Sequence, residues 1–280
     1  MTVNALEIKN LYKGYAGFKL ENLSLTLPSG CIMGLIGENG AGKSTTVKLI
    51  LDMVRKDGGT IKIFGKEGDI RLAKQEIGVV PDEVGIPECL TAAQVGKIMR
   101  RSFDNWDGIA YGAFLKKLDI PSGKPFREFS RGMKMKLGIA VAMSHKPKLL
   151  ILDEATSGLD PVVRDEVLEI FSEFTRDEGH SVLISSHIVS DLEKLCDYIA
   201  FLHKGRLLLC EEKDVLTEKY GLLQCAPEEL SRLDKSAIKG KRVSPYGVQA
   251  LVLRDAVPHG MRVSRVSIEE LFVFMVKEAV

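Results

Sequence analysis

Three short stretches of this chain hold the residue types that phosphate chemistry needs. The first is Gly37-Glu38-Asn39-Gly40-Ala41-Gly42-Lys43-Ser44-Thr45, of the form G-x-x-x-x-G-K-S, set between an apolar run from Cys31 to Ile36 and a helix-periodic one (Thr46, Val47, Leu49, Ile50). This is the P-loop pattern in its required strand, loop and helix setting. Glycines let successive N–H groups curl into one concavity that a phosphate can approach, and the following helix adds the partial positive charge of its N-terminus. Lys43 is expected to reach the β- and γ-phosphate oxygens, and the Ser44 hydroxyl to ligate a Mg²⁺ that bridges them.

The second stretch, Leu149-Leu150-Ile151-Leu152-Asp153-Glu154, sets two carboxylates at the end of an apolar strand. Alone, such a pair is more often a cap or a solvated turn; downstream of a P-loop, Asp153 is expected to hold Mg²⁺ through its water shell and Glu154 to take a proton from the water attacking the γ-phosphate. The third is His187, after the strand Val182 to Ser186. A histidine there is commonly structural, but it lies on the side where parallel sheets bind ligands and can bond the γ-phosphate. Phe129-Ser130-Arg131-Gly132-Met133-Lys134 precedes a helix, so Ser130 reads as its N-cap and the following N–H groups as a second anion site.

The elements that must position these groups follow from periodicity. Residues 3–27 alternate as two antiparallel strands with Tyr12 to Gly17 as the turn, Lys56 to Gly59 is a turn, and Thr60 to Gly65 and Ile77 to Pro81 are strands. Spacing by three and four predicts a helical insertion over about 91–145. The sheet resumes at Leu149 to Leu152, apolar throughout as in a strand buried on both faces. Helices over Val162 to Arg176 and Ile188 to Cys196 alternate with a strand at Ser181 to Ser185, and Tyr198 to Arg206 forms a hairpin. A P-loop within such alternation predicts an α/β fold, a doubly wound P-loop NTPase sheet with an antiparallel β subdomain and a helical subdomain. The chain divides into 1–220 and a small α+β extension, 221–280, with a helix at Pro227 to Leu233, a strand at Gln249 to Leu253 and an apolar helix at Ile268 to Val276. Leu271, Phe272, Phe274, Met275 and Val276 either close the extension's own core or form part of a subunit interface.

Composition excludes several classes. With 280 residues, 45% hydrophobic and 28% charged, the chain has ample core, and a net charge of +1 gives no footprint for nucleic acid. No basic-then-apolar leader opens the sequence and no apolar run approaches the ~18 residues a bilayer demands, so a cytoplasmic protein is expected, peripheral through a partner. The five cysteines lack C-x-x-C spacing and read as reduced packing thiols.

Taken in order and spacing, Gly37 to Thr45, Ser130 to Met133, Leu149 to Glu154, Ser157 to Asp160 and His187 resemble the ATP-binding subunit of an ATP-binding cassette (ABC) transporter, over roughly residues 3–220. The resemblance implies that two such domains, a homodimer or a heterodimer with a related ATPase subunit, sandwich two ATP molecules. The P-loop residues Gly37, Asn39, Gly40, Ala41, Gly42, Lys43, Ser44 and Thr45, with Asp153, Glu154 and His187, would face Ser130 and Gly132 of the other copy. Asp160 would line the seam, and Tyr15 matches the aromatic that stacks on adenine. Two departures stand out: Arg131 and Met133 replace the family's common glycine and glutamine, and Asp82 and Glu83 stand where many members place a Mg²⁺-contacting glutamine, making Asp82 a candidate oxygen ligand.

The extension is similar to that of drug- and bacitracin-type exporter subunits. The expected function is therefore ATP hydrolysis that closes and reopens a dimer on separately encoded transmembrane subunits, at the inner face of the cell membrane. The rival readings are a soluble ABC-type ATPase acting on ribosome or DNA, and a nucleotide-gated regulatory module with low hydrolysis.

Overall fold

A computed structural model of the protein describes residues 3–67, 73–244, 247–258 and 260–278. Its centre is a six-stranded sheet of order β10-β9-β3-β8-β7-β6, formed by β10 (Arg206–Glu212), β9 (Tyr198–His203), β3 (Ile32–Gly37), β8 (Ser181–Ser186), β7 (Leu149–Asp153) and β6 (Ile77–Val80). All neighbouring pairs are parallel except β9 with β10. Alternate side chains enter different cores: Leu150, Leu152, Val182 and Ile184 pack on one face, and Leu149, Ile151 and Leu183 on the other. Both faces are covered, which is why β3, β7 and β8 are buried at every position.

One face carries the P-loop helix Lys43–Ile50 and a second, antiparallel sheet of order β2-β1-β4-β5, made from β1 (Leu6–Tyr15), β2 (Phe18–Leu27), β4 (Gly58–Ile63) and β5 (Lys66–Glu67). The other face carries the helices Arg131–Met143, Pro161–Phe174 and Val189–Leu195. The helical region contains Ala92–Ser102, Gly108–Lys117 and Arg131–Met143, started by Thr91, Asp107 and Ser130 as side-chain N-caps. Among the described residues no helix is long and apolar enough to cross a membrane.

Two sequence expectations are corrected. Tyr12 to Gly17 is not the first turn, because β1 continues to Tyr15 and only Ala16 and Gly17 reverse the chain. Lys13 and Gly14 stay in the strand because the Asp57 carboxylate accepts from Lys13 Nζ at 2.8 Å and from Gly14 N at 2.9 Å. The apolar helix of the extension, Ile268–Glu278, closes more than its own unit. The extension's sheet, of order β12-β13-β11-β14 (Ile238–Ser244, Gly247–Leu253, Tyr220–Cys225, Val263–Ser264), has a small core around Leu223, Leu230 and Val248. Leu271, Phe272, Phe274 and Val276 belong instead to the main core, with the Phe272 ring edge-on to Phe201 of β9 at 5.1 Å.

All five cysteines are free thiols; Cys196 lies under β3, and burial pushes its thiol pKa up.

Candidate functional site

The loop after β3 is shaped by backbone demands that only its glycines meet. A Cβ on Gly37 would stand 2.6 Å from the carbonyl oxygen of Leu202, so nothing larger fits where β3 meets β9. Gly40 and Gly42 adopt left-handed φ of 82° and 111°, and a Cβ on Gly42 would also meet the Phe18 ring at 2.9 Å. Gly205 N donates to Ala41 O at 2.9 Å, tying the loop to the β9–β10 hairpin, and Thr46 Oγ1 donates to Gly42 O at 2.9 Å. Ser44 is exposed and Thr45 half-buried at the first turn of the helix.

Lys43 is 5% exposed and its ammonium is fully engaged: Nζ donates to Gly37 O at 2.7 Å and to Glu38 O at 3.3 Å, and lies 3.1 Å from Glu154 Oε1. The buried charge is thus matched by a carboxylate and two carbonyls.

Glu154 reaches that position by an unusual backbone. It follows the last residue of β7 with φ of 53°, a left-handed conformation costly for a residue with a Cβ. Its N–H donates to Ser185 O at 3.0 Å, its Oε1 faces Lys43 and its Oε2 lies 2.7 Å from His187 Nδ1. Asp153, the last residue of β7, is buried, and its Oδ1 accepts from the hydroxyl of buried Ser185. The site therefore gathers the carboxyl ends of three adjacent strands, β3, β8 and β7, where a parallel sheet offers its ligand crevice.

The cavity at this crevice, of about 530 Å³, is lined by Gly40, Gly42, Lys43, Ser44, Glu154 and His187 among others. Asn39 and Thr45 also line it, whereas Gly37 and Ala41 do not reach it and act through their carbonyls, which accept from Lys43 Nζ and Gly205 N. Ser130 and Gly132 are not among its lining residues: the Ser130 hydroxyl accepts from Met133 N at 3.2 Å as a helix cap, and Gly132 packs toward Val163. Asp160 is exposed and caps the helix Pro161–Phe174, accepting from Val162 N and Val163 N at 3.1 Å each. Tyr15 is 44% exposed at the hairpin end, its ring 5.5 Å from Lys13 Nζ, and the aromatic wall of the cavity is Phe18, its cross-strand partner. Asp82 does line the cavity, paired with Arg131.

Sequence reasoning missed Phe18 and the reach of Arg131. Phe18 looks like one more apolar residue of an alternating strand, and only the closeness of its ring to Gly42 distinguishes it. His203, at the end of β9, was also missed; it is buried, with Nδ1 3.5 Å from the carboxylate of exposed Glu38 on the P-loop.

The donor set fits Mg²⁺. Among the described residues no cluster of three or more His, Cys, Asp or Glu could cage a metal alone. Ser44 and Asp82 line the cavity, and Asp153, whose Oδ1 accepts from Ser185, ends β7 outside its lining; a hydroxyl and one or two carboxylates completed by substrate phosphates are what Mg²⁺ prefers.

Known proteins resemble this chain in sequence and in fold. The family described as ABC transporter matches residues 20–157. A lantibiotic transport ATP-binding protein, SrtF, of Streptococcus pyogenes is 38% identical over 215 residues, covering 75% of this chain and 91% of that protein. A bacitracin transport ATP-binding protein, BcrA, of Enterococcus faecalis is 34% identical over 211 residues, covering 72% of this chain and 68% of that protein. A solved structure of an ATP-binding subunit of an ABC transporter superposes with a TM-score of 0.68 at 29% identity, over 75% of this chain and 90% of that one.

Proposed function

The chain belongs to the ABC transporter family as an ATP-binding, ATP-hydrolysing subunit, and from that premise we propose that it energises a membrane exporter. It acts at the inner face of the cell membrane, bound to separately encoded membrane-spanning subunits and paired with a second copy or a related ATPase subunit. The observation that carries this reading is the placement of Glu154 between Lys43 and His187. Relatives named for transport of a lantibiotic and of bacitracin favour an exporter of antibiotic-like compounds over action on ribosome or DNA.

The residues divide the work as follows. Phosphates entering the P-loop compete with Glu154 for the Lys43 ammonium, so nucleotide capture releases the carboxylate to accept a proton from the attacking water. His187 engages Glu154 through Nδ1, leaving Nε2 as the ring nitrogen that addresses a phosphate oxygen. Mg²⁺, held by Ser44 and Asp153 with Asp82 nearby, would neutralise charge on the transferred phosphoryl group. Tyr15 and Phe18, opposite each other across the hairpin, offer an aromatic surface to the base. Ser130 and Gly132, outside their own cavity, serve the phosphates of the partner subunit, and Asp160 lies at the seam.

Capture of tagged protein from detergent-solubilised membranes tests the assignment. A membrane-spanning partner that stimulates phosphate release supports it, and purification with ribosomes or DNA in its place would refute it.

A further inference from the structure

The two departures from the family pattern touch each other. Arg131 Nη2 lies 3.4 Å from Asp82 Oδ1, and both residues line the cavity that holds Lys43 and Glu154. They also line a second cavity of about 570 Å³, walled by Val84, Ile86, Phe126 and Phe129, so the ion pair stands where the two cavities adjoin. The guanidinium lies over Gly158, which leaves room for it: a Cβ there, at φ of 67°, would come within 2.9 Å of Arg131 Cζ. At its other end Arg131 is the first residue of the helix capped by Ser130.

We propose that Arg131 is a positioning residue of its own subunit's nucleotide pocket, the fixed counter-ion that holds and neutralises Asp82 so that this carboxylate does not repel the incoming polyphosphate. The reasoning is a charge inventory. Of the carboxylates lining the pocket, Glu154 is matched by Lys43 and His187, Glu38 lies beside His203, and Asp82 has Arg131. An exposed pair at this distance adds little to folding. Its consequence is local: without the guanidinium, a bare carboxylate faces the phosphates across a rim that water screens incompletely. A divalent cation on the phosphates offsets the same charge, so the need for Arg131 is greatest for metal-free nucleotide.

The inference rests on the Lys43–Glu154 cavity being the nucleotide pocket, so Lys43→Ala is the control. Equilibrium binding of a fluorescent ATP analogue to the full chain, with EDTA and with excess Mg²⁺, is measured for the wild type, R131A, R131K, D82N and R131A/D82N. Arg131→Ala is expected to weaken metal-free binding about two- to fivefold and Mg²⁺-loaded binding by less than about twofold. Arg131→Lys should stay near the wild type, and the loss should shrink at about 1 M salt, where the screening length is ~3 Å. Adding Asp82→Asn to Arg131→Ala should restore metal-free binding to within about twofold of the wild type, which a merely structural role for Arg131 would not allow. If Arg131→Ala binds normally in EDTA while Lys43→Ala does not, the proposal is wrong and the pocket assignment stands. If Arg131→Ala weakens binding but Asp82→Asn fails to restore it, Arg131 acts on phosphate directly and the counter-ion role is overturned. Normal binding by Lys43→Ala would overturn the pocket assignment and this inference with it.

Discussion

Glu154 Oε1 lies 3.1 Å from Lys43 Nζ although the two residues follow strands that are not neighbours, β7 and β3, with β8 between them. The contact exists because Glu154 takes a left-handed backbone and turns its carboxylate back across the end of β8, where His187 meets it at 2.7 Å.

Glu154→Gln should keep nucleotide binding, since the amide still fits beside Lys43, and should lower steady-state phosphate release about 10²- to 10⁴-fold, the range for loss of a general base. Phosphate release and nucleotide affinity measured on the same preparation check this. Turnover within a fewfold of the wild type would remove Glu154 from the role.

Gly205→Ala tests the packing that supports the loop. Gly205 has φ of 78°, follows Lys204 at 45° in the tight turn between β9 and β10, and faces the Lys19 carbonyl with no room for a Cβ. Two successive positive φ values define the turn that hairpin twist favours. Denaturant unfolding should show a loss of more than about 2 kcal/mol, combining backbone strain with a clash against main chain.

The C-terminal helix is tested by Phe272→Ala. Its ring packs edge-on to Phe201 in the main core, so truncation should cost about 3 kcal/mol. The loss should appear in the unfolding transition of the whole molecule. An unchanged main transition would mean that the extension unfolds by itself.

His145 predicts a pH dependence. Burial against Phe103, with ring centroids 4.0 Å apart, pushes its pKa below the ordinary imidazole value, and Nε2 donates to Ile77 O at 3.0 Å. The folded state therefore binds fewer protons than the unfolded chain below about pH 6.5, and stability falls as pH drops through that value. Thermal melts between pH 8 and pH 5.5 should show a steeper decline for the wild type than for His145→Gln. Parallel curves would exclude His145 as the source.

The sequence alone determined the P-loop, the strand-end Asp153-Glu154 pair and the alternation that makes a doubly wound sheet. Each is a local pattern: a backbone that must curl needs Gly40 and Gly42, and a strand buried on both faces must be apolar at every position, as Leu149 to Leu152 is. Tertiary structure alone decided which partners these groups meet. That Glu154 bonds Lys43 and His187, that Phe18 reaches Gly42 and walls the cavity, that Arg131 reaches back to Asp82, and that Phe272 joins the main core are contacts between residues 24 to 111 positions apart in the chain. Such contacts follow from strand order and from backbone angles such as the φ of Glu154, which no short-range pattern of residue types encodes.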